Sequence, residues 1–208
     1  MYIAITIFII LGAISLFGIM LYMGLQAYKE QMIERVRVRY AAIHGWTFKQ
    51  DNPNDFSMSG NWKEYAVNIQ SVPIGEGEST QYFGRISIAI TNPQQKILAI
   101  FHKKATDWGG HIPTDTPQDP FIPVKNLLHE DLTVWTSDMI FACSLLTDSL
   151  KERMSRNLNL WYPCACVFSG EQIQLYLPRP LNSDEDPQVY DSALKLLDEV
   201  LTVYNEYQ

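Results

Sequence analysis

The chain has 208 residues, of which 19% are charged and 47% hydrophobic, a balance that excludes a disordered polypeptide and leaves room for one ordinary domain. Its net charge is -7, of which residues 46–208 carry -9, a sign that argues against nucleic acid as a partner. Three cysteines, Cys143, Cys164 and Cys166, give no disulfide framework and fit a reducing compartment.

From Tyr2 to Tyr28 there is no Asp, Glu, Lys, Arg or His. As a helix this run is about 40 Å long, against about 30 Å for the hydrocarbon core of a bilayer. A cleavable leader would have a shorter apolar stretch behind a basic start. Residues 1–28 are therefore expected to form a transmembrane helix in contact with lipid. Lys29, Arg35, Arg37 and Arg39 follow it as membrane-proximal basic residues, and cations near a span are retained on the cytoplasmic side. The expected arrangement is an inner-membrane protein with its N-terminus outside and its C-terminal domain in the cytoplasm. Gly12, Ala13, Ser15 and Gly18 place small residues in mid-span, where close helix approach would permit a homo-oligomer.

Residues 29–45 continue at helical period as a basic amphipathic juxtamembrane segment, with Met32, Ile33, Val36, Tyr40 and Ile43 as its apolar stripe and Gly45 as a natural stop. Such a helix can lie on anionic headgroups or pack on its own domain. The second placement is favoured, because Glu30 and Glu34 reduce the segment to +2. With the whole chain at -7, residues 46–208 then carry -9, and this cytoplasmic domain should stand clear of the bilayer.

Beyond Gly45 the period becomes alternating. Residues 46–50, Tyr65 to Ile69, Ile86 to Ile90, Lys96 to His102, 132–136, Cys164 to Phe168 and Gln172 to Leu177 read as strands, with turns at Gly75 to Glu78, Asn92-Pro93 and Ser169-Gly170. One helix is expected from Ser137 through Met154, closing at Asn157, and another from Asp186 as N-cap and Pro187 nearly to the C-terminus. The expected fold class is α+β: one N-terminal transmembrane helix, then an antiparallel sheet of six or seven strands packed on one side with two long amphipathic helices.

Signatures of chemistry are scarce. There is no GxGxxG, Walker-type loop, GxSxG or HExxH, so no catalytic, cofactor-binding or metal-ligating residue is assigned and no cofactor is expected. Cys164 and Cys166 would face the same side of a strand among apolar neighbours, which favours core cysteines over metal ligands. Asp131, Asp138 and Asp148 read as turn and cap residues. The connection from Ala105 to Pro120 is long enough to suggest a purpose. In it Trp108, His111 and Asp115 are the candidates for binding a protein partner, since an exposed aromatic supplies contact area at low entropic cost.

The succession of a span, a short helix ending His44-Gly45-Trp46, a glycine in Met58-Ser59-Gly60 opening a hairpin, Leu132-Thr133-Val134-Trp135-Thr136-Ser137-Asp138, Leu145-Leu146-Thr147 and Glu152-Arg153 resembles a family of uncharacterised bacterial membrane-anchored proteins. The resemblance covers roughly residues 40 to 200 and implies a cytoplasmic domain behind a membrane anchor, with no site residues transferred. The functional expectation is a membrane-anchored interaction or scaffold protein, a non-catalytic component of an inner-membrane assembly. A tethered hydrolase or metal-dependent enzyme with a site near residues 105–120, and a small-ligand sensor, are the alternatives.

Overall fold

The computed structural model describes residues 2–74, 80–91, 96–102, 122–124, 128, 132–156, 165–177 and 180–207. A single helix, α1 (Tyr2–His44), opens the chain and runs without a break from the uncharged stretch into the basic one. It is long and apolar enough to cross a membrane, and none of its most apolar window is buried. From Leu11 to Tyr28 its large side chains, Phe17 and Met20 among them, are more than half exposed. The helix stops where the backbone of Gly45 takes φ 68°, a left-handed value that a residue with a Cβ adopts at a cost.

The last three turns of α1 pack on the domain. Tyr40 and Ala41 join the main core, Arg37 is fully buried, and Val36 lies against its edge. The inward face therefore reads Ile33, Val36, Arg37, Tyr40, Ala41 and His44. Met32 and Ile43, expected on the buried stripe, are exposed at 36% and 69%. The apolar pattern misplaced the stripe because a cation, Arg37, occupies its centre.

Nine strands follow among the described residues, two more than the alternating pattern marks. They are β1 (Thr47–Asn52), β2 (Asp55–Trp62), β3 (Tyr65–Ile74), β4 (Gln81–Ala89), β5 (Leu98–His102), β6 (Ile122–Val124), β7 (Leu132–Thr136), β8 (Ala165–Ser169) and β9 (Gln172–Leu177). All pairings are antiparallel, in the order β1-β2-β3-β4-β9-β8-β5-β7-β6. The first four make a meander. The hairpin β8–β9 then inserts between β4 and β5, and Gly170 with φ 55° forms its turn, as Ser169-Gly170 predicts.

Side chains alternate across the sheet. Phe56, Met58, Val67, Ile69, Ile86, Ile88, Leu98, Ile100, Val134, Cys166, Phe168, Ile173 and Leu175 point to one face and form the core with the helices. The opposite face is polar along β2, β3 and β4, where Ser57, Ser59, Asn68, Gln70 and Ser87 lie side by side. It carries a smaller apolar group of Ala99, Phe101, Val167 and Tyr176 further along.

Gly60 sits within β2, under the indole of Trp46. A Cβ there would lie 2.7 Å from Trp46 Cγ and nearer still to Cδ1, far closer than van der Waals contact, so the residue must be glycine for the tryptophan to lie flat on the strand. The β2–β3 turn is the pair Lys63-Glu64, with Lys63 at φ 55° and its Nζ 2.5 Å from Asp198.

The helix expected from Ser137 through Met154 is two helices, α2 (Met139–Leu145) and α3 (Asp148–Arg156). Asp138 caps α2, its Oδ1 accepting from the amides of Ile140 and Phe141 at 2.8 and 3.0 Å. Leu146 then leaves helical geometry, and Thr147 restarts the chain by accepting from the amide of Leu150 through Oγ1. The apolar spacing of three and four persists through the break because Leu145, Leu146, Leu150 and Met154 are all buried in the same core. The last helix, α4 (Asp186–Tyr207), buries Tyr190, Ala193, Leu194, Leu197, Leu201 and Tyr204 as its period predicts. Asp186, read as its N-cap, is its first helical residue, and Oδ2 turns back to accept from the amides of Asn182 and Ser183 at 2.8 and 2.7 Å. The expected turns at Gly75 to Glu78 and Asn92-Pro93, the helix stop at Asn157 and the turn residue Asp131 lie outside the described residues.

Candidate functional site

Among the described residues the most elaborate polar arrangement is the junction where α1 enters the domain. Burial of Arg37 is tolerated because its guanidinium donates to four acceptors that reach it from separate parts of the chain. Nε donates to Leu181 O at 2.9 Å, Nη1 to Gln50 Oε1 at 2.7 Å and Pro53 O at 2.8 Å, and Nη2 to Asn182 Oδ1 at 2.5 Å. The plane lies over the Phe56 ring, 4.1 Å from its centroid. None of these acceptors is charged. Desolvation lowers the Arg37 pKa to about 10, the electrostatic effects of Tyr190 and then Glu34 oppose that shift, and the group stays cationic at neutral pH. One side chain thus ties α1 to β1, to the β1–β2 turn and to the segment before α4.

One turn further on, Tyr40 donates its hydroxyl to Asp191 Oδ1 at 2.8 Å, and the same oxygen lies 3.3 Å from His44 Nε2. Burial, and then the bond to Asp191, hold the Tyr40 phenol above its ordinary range. His44 is stacked on Trp46 with ring centroids 4.6 Å apart, is edge-on to Tyr40 at 4.6 Å, and is 5.8 Å from Trp62. Trp46 donates Nε1 to Asn61 O at 2.9 Å. A histidine with an aspartate partner can act as a base when a nucleophile sits on its other side. Among the described residues the polar partner of His44 is Asp191, and the ring contacts are aromatic, so the cluster is built to hold α1 against β1, β2 and α4.

No three His, Cys, Asp or Glu side chains are grouped for a metal ion among the described residues. Cys166 is buried in the core, and burial pushes its thiol up to about 12; Cys164 lies outside the described residues. A shallow depression of about 470 Å³, open to solvent, lies between the ends of β3, β4 and α4. Tyr65, Ile90, Thr91, Tyr204 and Asn205 line it, and its polar groups bond one another, Tyr204 to Thr91 O and Asn205 to Tyr65 Oη.

Of the residues singled out from sequence, Trp108, His111 and Asp115 lie outside the described residues. Lys29, Arg35 and Arg39 are exposed on α1, whereas Arg37, grouped with them as membrane-proximal, is inside the domain. The sequence reading missed the Arg37 clasp and the pairing of Tyr40 and His44 with Asp191. The spacing of Arg37, Tyr40 and His44 at three and four was visible. Their partners, up to 151 residues away, were not.

No protein-family model matches the chain, and no curated protein does. Among solved structures, the crystal structure of the mycobacterial trehalose monomycolate transport factor A, TtfA, aligns with a TM-score of 0.51 over 82% of this chain and 95% of that one, at 11% sequence identity. The likeness is one of fold. At that identity it extends to the arrangement of strands and helices and not to any residue of the junction.

Proposed function

We propose that the chain is a single-pass membrane protein whose cytoplasmic domain is a non-catalytic scaffold for a protein partner in an inner-membrane assembly. The observation that carries this reading is α1: one end is apolar and exposed over five turns, and the other is clasped in the domain by a buried arginine. In water that exposed surface is unfavourable by about 25 cal/mol for each Å², which a bilayer removes. Residues 1–28 form the span in this reading. Residues 29–45 join it to the 46–208 domain, and the cations that follow the span favour a cytoplasmic domain. The transport factor with a similar fold supports, by analogy of architecture alone, a role as an accessory component. Trp108, His111 and Asp115 remain the proposed partner-binding residues. Self-association through the mid-span small residues is a further proposal, for which Gly12 and Gly18 leave open space on the helix.

Cys143 offers the test, because it is exposed on α2. An impermeant maleimide should label the wild type, relative to Cys143→Ser, only after cells are permeabilised, and mild detergent should then extract the chain with a defined partner. Labelling in intact cells would overturn the orientation. A chain that stays in the supernatant of lysed cells would overturn the anchor, and extraction as a partner-free monomer would overturn the scaffold.

A further inference from the structure

Packing on the domain divides the charges of α1 by face. At about 100° per residue, the side away from the inward-facing Ile33, Arg37, Tyr40, Ala41 and His44 carries Tyr28, Met32, Arg35, Arg39 and Ala42. Arg35 and Arg39 stand one turn apart on it, exposed, and form no ion pair among the described residues. Glu30 and Glu34, which halve the charge of this segment in sequence, lie round the helix on the side of Arg37, where Glu34 acts on the buried guanidinium. Lys29, also exposed, is the first charge after the apolar stretch and lies about 120° round the helix from Arg35. The charges on the outward face are therefore all positive.

Side chains of a helix lean toward its N-terminus, which here means toward the span. Measured from Tyr28, Arg35 stands about 10 Å and Arg39 about 16 Å along the axis. The headgroup layer extends roughly 5–8 Å past the hydrocarbon. Long guanidinium side chains leaning back along the helix reach that layer or its edge, and a tilt toward this face brings both closer. The domain sits on the other side of α1, so the same tilt lifts it away from the lipid, and residues 46–208 carry the charge of -9 that an anionic surface repels.

We propose that Arg35 and Arg39 form a binding stripe for anionic phospholipid headgroups of the leaflet from which α1 emerges. This rests on the single-pass reading above. Lipid fits the face better than a second copy does, because a parallel pair meeting here would set Arg35 and Arg39 against their own counterparts.

The full chain, reconstituted in vesicles of equimolar phosphatidylcholine and phosphatidylglycerol, is extracted gently and its retained lipids are counted by native mass spectrometry. The wild type should retain phosphatidylglycerol over phosphatidylcholine by roughly threefold to tenfold. Arg35→Gln with Arg39→Gln should remove most of that preference while the protein still floats with the vesicles. Both residues are exposed, so an unchanged circular dichroism spectrum is expected, and Lys29 keeps the end of the span. An equal preference in the variant overturns the stripe. So does a wild-type dimer that the variant loses, which would make the face a contact between copies. If neither protein floats, the anchor itself is wrong, a failure distinct from that of the stripe.

Discussion

Replacing Arg37 by alanine tests whether the domain is built around the end of α1. The substitution leaves Leu181 O, Pro53 O, Gln50 Oε1 and Asn182 Oδ1 without their donor and opens space over the Phe56 ring. A buried acceptor left unpaired costs about 1–3 kcal/mol. Water entering the vacated volume would recover part of this, so the net loss is about 3–5 kcal/mol. For a chain of this size that corresponds to a fall in melting temperature of roughly 10 °C. Arg37→Lys should fall about half as far, because one ammonium cannot reproduce a planar fork that reaches four acceptors. The assay is thermal unfolding of the full chain in detergent micelles, followed by near-ultraviolet circular dichroism. That signal reports the ring cluster at Tyr40, His44 and Trp46 and is blind to helix retained in the micelle. A cycle with Asn182→Ala should be non-additive by about 1 kcal/mol. An Arg37→Ala protein that melts within about 1 °C of the wild type would refute the reasoning.

Three further outcomes are expected. Gly60→Ala should destabilise the protein by about 1–3 kcal/mol and shift tryptophan emission to the red, because Trp46 must leave the strand it lies on; unchanged emission would contradict that packing. Tyr40→Phe should cost about 1 kcal/mol through loss of the bond to Asp191, measurable by urea unfolding. Asp138→Ala should lower the melting temperature more than Asp138→Asn does, since asparagine still caps. Bonds from the Phe141 amide, the Lys96 ammonium and the Ile140 amide hold the Asp138 carboxyl below its usual range. Its folded pKa is depressed, so the stabilisation is present above the unfolded carboxylate range and is lost as pH falls through the folded value. The gap between wild type and Asp138→Ala should close on the acid side, and a pH-independent gap would exclude the carboxylate as its source.

Periodicity carried the reading of sequence furthest where local pattern and burial coincide. The uncharged run of α1, the alternation of Val67 and Ile69 in β3 and of Ile86 and Ile88 in β4, and the stripe of α4 were all legible. Strand β2 was not, because its burial rests on Phe56 and Met58 among Ser57, Ser59 and Gly60, a composition that resembles a loop. Strand β6 is three residues with proline at its centre. The break between α2 and α3 was hidden because the apolar spacing continues across Leu146 and Thr147. Sheet order escaped for a different reason: insertion of β8–β9 between β4 and β5 depends on pairings such as Ile86 with Leu175, far apart in the chain. The junction failed at Arg37 because a cation near a span is ordinarily read as facing lipid or water. Only its distant acceptors make its burial tolerable.

The unbroken course of α1 from its apolar end into the clasp leaves no swivel between span and domain. With the helix inserted as proposed, the compass bearing of the sheet about the membrane normal follows from how many residues separate the two ends. One residue added between Tyr28 and Ile33 would turn everything behind it by about 100°, and seven would restore nearly the original heading about 10 Å further out. Inserted in that way the molecule would be a fixed spoke, and a neighbour in the same membrane would meet a particular side of it according to helical phase.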